Sequence, residues 1–250
     1  MAWKNITIKT PQEIAIMREG GKILAEIMEK LKEATKVGAT TREIDNLAEE
    51  LVKKYKVEPA FKDYEGYPAV SCVSVNNVIV HSVPSDYVLK EGDVVSLDIG
   101  VKHKGFYTDM AFTVGLAPLD SEAARMIHTA KKALKLAITK AKQGNTFGDI
   151  GNTIQRYVEY QGFGVVRELC GHGIGHHLHE DPQIPNYGQR HKGLSIGPGM
   201  VFCIEPMITM GDWHLKKSSD GFGYETADGS LSAHFEHTIA MTANGPEVLT

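Results

Sequence analysis

Apolar residues along this chain fall into four stretches of helical spacing, separated by stretches in which they alternate or run together. Thr10-Pro11-Gln12-Glu13 is a capping box with proline at the first helical position, and Ile14, Met17, Gly21, Leu24, Met28 and Leu31 then recur on one helix face. This predicts an amphipathic helix to about Lys32, with Gly20-Gly21 suited to a close crossing. Thr40-Thr41-Arg42-Glu43 opens a second helix, with Ile44, Leu47 and Leu51 as its buried stripe and an end at Lys54 or Tyr55. A long helix is predicted from Ser121 to Lys142 with Ala124, Ile127, Leu134, Ile138 and Ala141 inward, and Thr146 opens a fourth that Gly162 closes. From Ala60 to Pro84 the chain is aromatic and then β-branched, and from Val165 to Leu249 it reads as strand and loop with several glycines.

The stretch Val94 to Val114 reads as two strands with a reversal near His103-Lys104-Gly105, and each arm carries one acid, Asp98 and Asp109. A two-residue loop at His103-Lys104 pairs the two aspartates directly, with Cβ atoms roughly 4.5–5.5 Å apart. Like charges so placed repel, and a metal ion is the candidate for what neutralises them. Gly105 also permits a three-residue loop with a bulge, which shifts the register by one and sends the carboxylates to opposite faces. On the plainer reading, Asp98 is a strand-end acid and Asp109 a turn acid.

Further chemistry sits in the second half. Cys170-Gly171-His172-Gly173-Ile174-Gly175-His176-His177-Leu178-His179-Glu180 packs four histidines into eight residues. His172 and His176 have the spacing of a helical zinc motif, but three glycines argue against a helix, and the glycines also fall short of a dinucleotide fingerprint. In an extended segment His172 and His179 point to opposite faces, so a bend is needed to bring both to one site. Glu205 ends the apolar run Val201-Phe202-Cys203-Ile204, where a carboxylate is costly to bury unless it is paired or coordinates a metal. Pro206 removes a ladder donor and interrupts the strand at the acid. Glu236 is placed similarly in Leu231-Ser-Ala-His-Phe-Glu236-His-Thr-Ile. A salt-bridged strand acid is the alternative for each.

Composition narrows the setting. The 250 residues, 42% hydrophobic and 23% charged, are those of an ordinary soluble globular chain, and a formal net charge of −4 gives no case for nucleic-acid or anionic-membrane binding. The first residues contain no long apolar run, so neither a signal peptide nor a membrane span is expected. Cys72, Cys170 and Cys203 are odd in number and form no CxxC pair, which fits free thiols in a reducing compartment, the cytoplasm by default. There is also an internal echo: Gly38-Ala-Thr40-Thr-Arg-Glu43-Ile44 matches Gly144-Asn-Thr146-Phe-Gly-Asp149-Ile150, and Val52 matches Val158, all 106 positions apart. It reads as a duplicated helix–helix–sheet unit with a site between the halves, although such a helix start also recurs by chance.

Asp98, Asp109 eleven residues on, the glycine-flanked His172, Glu205 before proline and Glu236 in a strand are more specific together than singly. With G-H-G-I-G, H-E-D-P, I-E-P-M and S-A-H-F-E-H-T-I they resemble the type I, bacterial methionine aminopeptidases of peptidase family M24, from about Thr10 to the C-terminus. The resemblance implies an α/β (α+β) pita-bread fold, a curved antiparallel sheet covered by helices. It implies one catalytic domain over 1–250, with pseudo-two-fold halves of about 1–115 and 116–250. It also implies two divalent ions, Co²⁺, Mn²⁺ or Fe²⁺ with Zn²⁺ or Ni²⁺ as alternatives. Asp109 and Glu236 would bridge them, Asp98 would hold one, and His172 with Glu205 the other.

The implied activity is removal of the initiator methionine from nascent proteins and peptides with a small second residue. A monomer would act at the ribosome in the cytoplasm, without specific nucleic-acid or membrane partners. A water activated by the metals would attack the scissile carbonyl with Glu205 as general base. His179 would bind the carbonyl and its oxyanion, and His81 would contact the scissile amide. The family usually has glycine after that histidine; Ser82 stands there here and constrains the backbone. Tyr64, Tyr67, Cys72, Phe61, Leu178 and Phe222 would form the methionine pocket, and Asn76, Val78 and Ser232 a site for Na⁺ or K⁺. His176 and His177 carry no role.

Two rivals follow from the same resemblance, another enzyme of this fold and a non-enzymatic module. Prolidases and proline aminopeptidases of this fold carry a large domain before the first metal acid, whereas 97 residues precede Asp98. Type II methionine aminopeptidases insert a helical subdomain between the last two ligands, whereas Glu205 and Glu236 are 31 positions apart. A non-enzymatic peptide-binding module of this fold would have lost the metal residues, and all five are present with both histidines.

Overall fold

The capping boxes read in the sequence are the ones that start the helices. In the computed structural model, which describes residues 6–250, α1 (Pro11–Ala34) begins at Thr10, whose hydroxyl accepts from the Glu13 amide while the Glu13 carboxylate accepts from the Thr10 amide at 2.7 Å. α2 (Thr41–Tyr55) repeats the box with Thr40 and Glu43, α3 (Ser121–Ile138) is capped by Asp120, and α4 (Phe147–Tyr160) by Thr146 with Asp149. The boxes of α2 and α4 stand 106 positions apart, and Val52 and Val158 are both buried.

The expected stripe of α1 is buried throughout. That of α3 needs correction. Ala123, Met126, Ala130, Ala133, Leu134 and Ala137 face inward, whereas Ala124 is exposed and Ile127 and Ile138 are half-buried. Small alanines let the helix lie close to its neighbours, which moves the bulky isoleucines to the seam. The helix also stops at Ile138, earlier than Lys142, although Ala141 remains buried in the turn that follows.

The strands are β1 (Glu58–Pro59), β2 (Cys72–Val75), β3 (Val78–Val80), β4 (Val94–His103), β5 (Phe106–Gly115), β6 (Gly164–Val165), β7 (Cys170–Gly173), β8 (Glu180–Pro185), β9 (Val201–Ile204), β10 (Met207–Thr209), β11 (Leu215–Lys217), β12 (Tyr224–Thr226), β13 (Ser232–His234), β14 (Glu236–Thr242) and β15 (Gly245–Val248). Among the described residues the main sheet runs β1-β4-β5-β14-β9-β7-β8, with β2 also on β4 and β15 also on β14; its pairs are antiparallel. Two small sheets accompany it, β13-β10-β6 and β11-β12-β3.

The hairpin register differs from the one expected. The turn is Lys104-Gly105, both at positive φ (48° and 86°), the geometry that matches the twist of the flanking strands. Asp98 therefore pairs with Ala111, and Asp109 with Gly100. The aspartates are not directly opposed but diagonal, two residues out of step. Because the shift is even, both carboxylates keep to one face.

That face is decided by what covers the other. Val95, Leu97, Ile99 and Val101 pack with Leu24, Ile27, Met28 and Leu31 of α1 and with Ile44 and Leu51 of α2. Phe202, Ile204, Ile239 and Met241 pack with Ala130, Ala133, Ile150 and Ile154 of α3 and α4. Each of the larger side chains contributes about 1.5–3 kcal/mol on burial. With the helices on one face, period-two alternation leaves Asp98, Asp109, Cys203, Glu236 and Thr238 on the other.

Candidate active site

Neighbouring strands from four parts of the sequence bring the acids together. Ala111 pairs with Asp98 on one side and with Glu236 on the other, so these two carboxylates flank it in one row. Asp109 lies in the next row, where its amide donates to the Thr238 hydroxyl at 2.9 Å and that hydroxyl donates to the Asp109 carbonyl at 2.8 Å. Glu205 and Glu236 occupy equivalent places. β9 and β14 pair in the main sheet, β10 and β13 pair in a small sheet, and the chain passes between the two sheets at Glu205-Pro206 and again at Phe235. Each glutamate thus sits where a strand changes sheet, as Pro206 led one to expect for Glu205. Asn186 fixes the first bend by donating to the Glu205 carbonyl at 3.0 Å.

His172 enters from β7, which is bulged between His172 and Gly173. Its Nδ1–H donates to the Gly173 carbonyl at 2.8 Å, so the Nε2 lone pair faces the acids. Nε2 is 3.8 Å from Glu205 Oε1 and 3.9 Å from Glu236 Oε1. Oxygens of Asp98, Asp109 and Glu236 lie within 4.8 Å of one another, as do ligand atoms of His172, Cys203 and Glu236.

The electrostatics are those of a site built around a cation. Burial, then the Asp109 and Glu205 charges, hold the Asp98 carboxyl well above its ordinary range. Burial takes Asp109 to about 7, and burial with the neighbouring carboxylates raises Glu205 and Glu236. Burial takes His172 down to about 3, so it is a neutral imidazole with a free lone pair. Asp98 Oδ1 and Glu236 Oε1 are buried without a hydrogen-bond partner. Buried acids left in this state are costly unless a cation completes them. Four carboxylates and one imidazole suit borderline-hard divalent ions and not a structural zinc, which takes thiolates and several imidazoles.

The four acids and His172 line a cavity of about 740 Å³. Phe61, Tyr64, Tyr67, Cys72, Leu178 and Phe222 line it, as do His81 and His179. Tyr67 is held by donating to the Ser71 and Ser82 carbonyls at 3.1 and 2.8 Å, and the Phe222 ring stands edge-on to it with centroids 5.4 Å apart. Tyr64, expected as pocket wall, also reaches His179: its hydroxyl is 3.0 Å from Nδ1. His179 lies edge-on to His172 at 4.4 Å between ring centroids, so a bend between them does bring both to one place. The backbone constraint expected at Ser82 falls on His81 itself, a non-glycine residue with φ of 61°. Away from the cavity, Asn76 and Ser232 meet, the Asn76 carbonyl accepting both the Ser232 amide and hydroxyl at 2.9 Å, while Val78 pairs with Glu225 in the adjoining strand.

Two residues beside the acids carry no role in the sequence reading. Cys203 shares a face with Glu205 and packs against Thr238, with Sγ 3.6 Å from its hydroxyl. His234 is 1% exposed and touches both glutamates. The alternations Cys203-x-Glu205 and His234-x-Glu236 were the available signal, since residues two apart in a strand share a face.

The profile of metallopeptidase family M24 matches residues 15–243. The methionine aminopeptidase of Clostridium perfringens is 46% identical over 245 residues, 98% of each chain. The chain belongs to this family. The crystal structure of methionine aminopeptidase from Thermotoga maritima superposes with a TM-score of 0.96 at 43% identity, covering 98% of this chain and 99% of that one. Prolidase from Pyrococcus furiosus gives a TM-score of 0.76 at 24% identity over 97% of this chain and 65% of its own, a likeness of fold alone. The pita-bread fold of the family is thus the fold described above, and a metallopeptidase family agrees with the donor set on divalent metal. No helix among the described residues is long and apolar enough to cross a membrane.

Proposed function

We propose that this chain is a metal-dependent aminopeptidase that removes the N-terminal methionine from peptides and nascent polypeptides. The observation that carries the reading is the cluster of four buried carboxylates and one neutral imidazole, with orphaned carboxylate oxygens, in a cavity that aromatic and apolar side chains also line. Asp98, Asp109, His172, Glu205 and Glu236 would hold two divalent ions, of which Mn²⁺, Fe²⁺ and Co²⁺ suit the donors best. When bound, such ions supply Lewis acidity and make water a nucleophile near neutral pH.

The chain's own residues do the rest. A Glu205 carboxylate oxygen takes the proton from the attacking water and returns it to the leaving amine. The Tyr64 hydroxyl lies 3.0 Å from Nδ1, and in the tautomer that accepts from it His179 carries its proton on Nε2 and presents it to the oxygen that gains charge in the transition state. His81 contacts the scissile amide. Phe61, Tyr67, Cys72, Leu178 and Phe222 receive the methionine side chain, whose polarizable sulfur suits aromatic and thiol neighbours.

The proposal extends to a monomer acting in the cytoplasm at the ribosome, a single domain of two similar halves, and a monovalent cation held at Asn76, Val78 and Ser232. The test is hydrolysis of Met-, Pro- and Leu-initiated peptides by chelated protein before and after defined metals are added. The expected result is metal-restored release of methionine. Preference for the Pro- or Leu-initiated peptide, or hydrolysis indifferent to metal, overturns the reading.

A further inference from the structure

His234 stands to the two glutamates as His172 does. Its Nε2 is 3.6 Å from Glu205 Oε2 and 3.9 Å from Glu236 Oε2. The corresponding distances for His172 are 3.8 Å to Glu205 Oε1 and 3.9 Å to Glu236 Oε1. Each glutamate therefore turns one oxygen to each imidazole, and the four side chains form a ring in which nitrogen and oxygen donors alternate. Two ligands each about 2.1 Å from one ion at the tetrahedral angle lie roughly 3.4 Å apart. The ring edges are longer than that, and His234 is outside the sets of ligand atoms that lie within 4.8 Å of one another, so an ion bound here would draw the ring together.

His234 is also an unsolved problem in the fold as described. The residue is 1% exposed, and neither ring nitrogen has a hydrogen-bond partner. A buried neutral imidazole holds one donor and one acceptor, and leaving both unmet is costly. It is not a misplaced surface residue. Its amide accepts no alternative arrangement, because it donates to the Thr113 hydroxyl at 2.9 Å while that hydroxyl donates to the His234 carbonyl at 2.7 Å. The backbone is clamped on both sides, at the last position of β13 before the chain crosses to β14. From this clamped backbone the side chain places Nε2 within 4 Å of an oxygen of each of two acids that themselves need a cation.

We propose that His234 is a further metal ligand, a second imidazole on the divalent centre. The inference rests on the reading of Asp98, Asp109, His172, Glu205 and Glu236 as its ligands. A second nitrogen donor makes the centre softer and favours Co²⁺, Zn²⁺ or Ni²⁺ over Mn²⁺ more than five ligands with one imidazole would.

The test uses the full chain, stripped with chelator and loaded with Co²⁺ alone. Each imidazole bound to Co²⁺ gives one hyperfine-shifted N–H proton signal, seen in H₂O and absent when the stripped protein is exchanged into D₂O before loading. Two such signals are expected from the parent protein. His234→Gln is expected to leave one, and to weaken Co²⁺ binding about 10- to 100-fold, as removal of a ligand or its close support does. A parent spectrum with one imidazole signal at full cobalt content overturns the inference and leaves the five-ligand reading standing. So does a His234→Gln spectrum that keeps both signals. Failure of the parent to retain Co²⁺ by elemental analysis overturns both. The parent spectrum decides the matter even if the variant does not fold.

Discussion

Lys9 reaches a carboxylate 171 residues further along the chain: its ammonium lies 2.5 Å from Glu180 Oε2, with the two side chains 1% and 5% exposed. Glu180 Oε1 accepts from the His177 amide at 3.0 Å, and the Lys9 ammonium also donates to the Thr7 carbonyl at 3.2 Å. The third glycine of the G-H-G-I-G motif has its reason here, since a Cβ on Gly175 would overlap the Lys9 side chain. The N-terminal strap thus underpins the loop that carries His179. Removing one member of a buried pair leaves the other charge uncompensated and costs about 3–5 kcal/mol. Lys9→Met is expected to lose stability of that order in urea titration of the metal-loaded protein. A loss under about 1 kcal/mol would mean that Glu180 is neutral or solvated there.

His179→Ala removes a donor placed toward the scissile carbonyl and replaces none of the five proposed ligands, although its ring lies edge-on to that of His172. By the usual weight of such donors, kcat is expected to fall about 10²–10³-fold with little change in KM. Metal content by elemental analysis is expected to match the parent. A rise in KM alone would make His179 a binding residue.

Asp109 ionises at about 7 in the fold, and burial with neighbouring charge also raises Asp98, Glu205 and Glu236. A carboxyl that holds its proton more tightly folded than unfolded stabilises the fold at low pH. That stability is lost as pH rises from the unfolded value, 3.8 for an aspartate, through the folded one. The Tm of chelated protein is therefore expected to fall between about pH 4 and pH 7. Added Mn²⁺ or Co²⁺ is expected to restore it at pH 7.5, because the ion binds only the folded site. A chelated protein with a flat Tm over that range contradicts the electrostatics described.

The second residue of the substrate must pass the crowded end of the cavity, where His81 and His179 both line the wall. A long side chain there displaces the scissile carbonyl, and a misplacement near 1 Å costs about 10²-fold. The chain's own first residues, which lie outside the described ones, supply a test peptide. Met-Ala-Trp-Lys is expected to be cleaved far faster than Met-Lys-Trp-Lys, with free methionine the sole residue released, as followed by mass spectrometry. Equal rates would point to a broad aminopeptidase, and release of later residues to processive trimming.

Local chemistry was legible in the sequence wherever it is local in fact. The capping boxes at Thr10 and Thr40 and the helix start at Thr146 announced their helices because hydroxyl and carboxylate act across one turn. The shared face of Asp98 and Asp109 belonged to the two-residue loop, one of the two turns left open, and the register itself was not legible, since a Lys-Gly turn with both residues at positive φ has no strong signature. The inward face of α3 was misjudged because four alanines, and not its isoleucines, occupy it. Sheet order was out of reach: nothing near Ala111 says that Glu236 will lie beside it. The five proposed ligands were nonetheless named, from a family resemblance and not from spacing. His234, Cys203 and Lys9 were passed over because their significance lies in contacts that only the assembled sheets create.

The crossings at Glu205-Pro206 and Phe235 have a mechanical meaning. The main sheet ends at Ile204 and restarts at Glu236, while the small sheet begins at Met207 and ends at His234, so two parallel joints of one or two residues carry all the strain between the sheets on this side. Neither joint has slack. Any sliding of one sheet over the other must displace Glu205 and Glu236, and a cation held between them would act as a rivet through the overlap. Loosening of the small sheet and loss of such an ion would then be coupled.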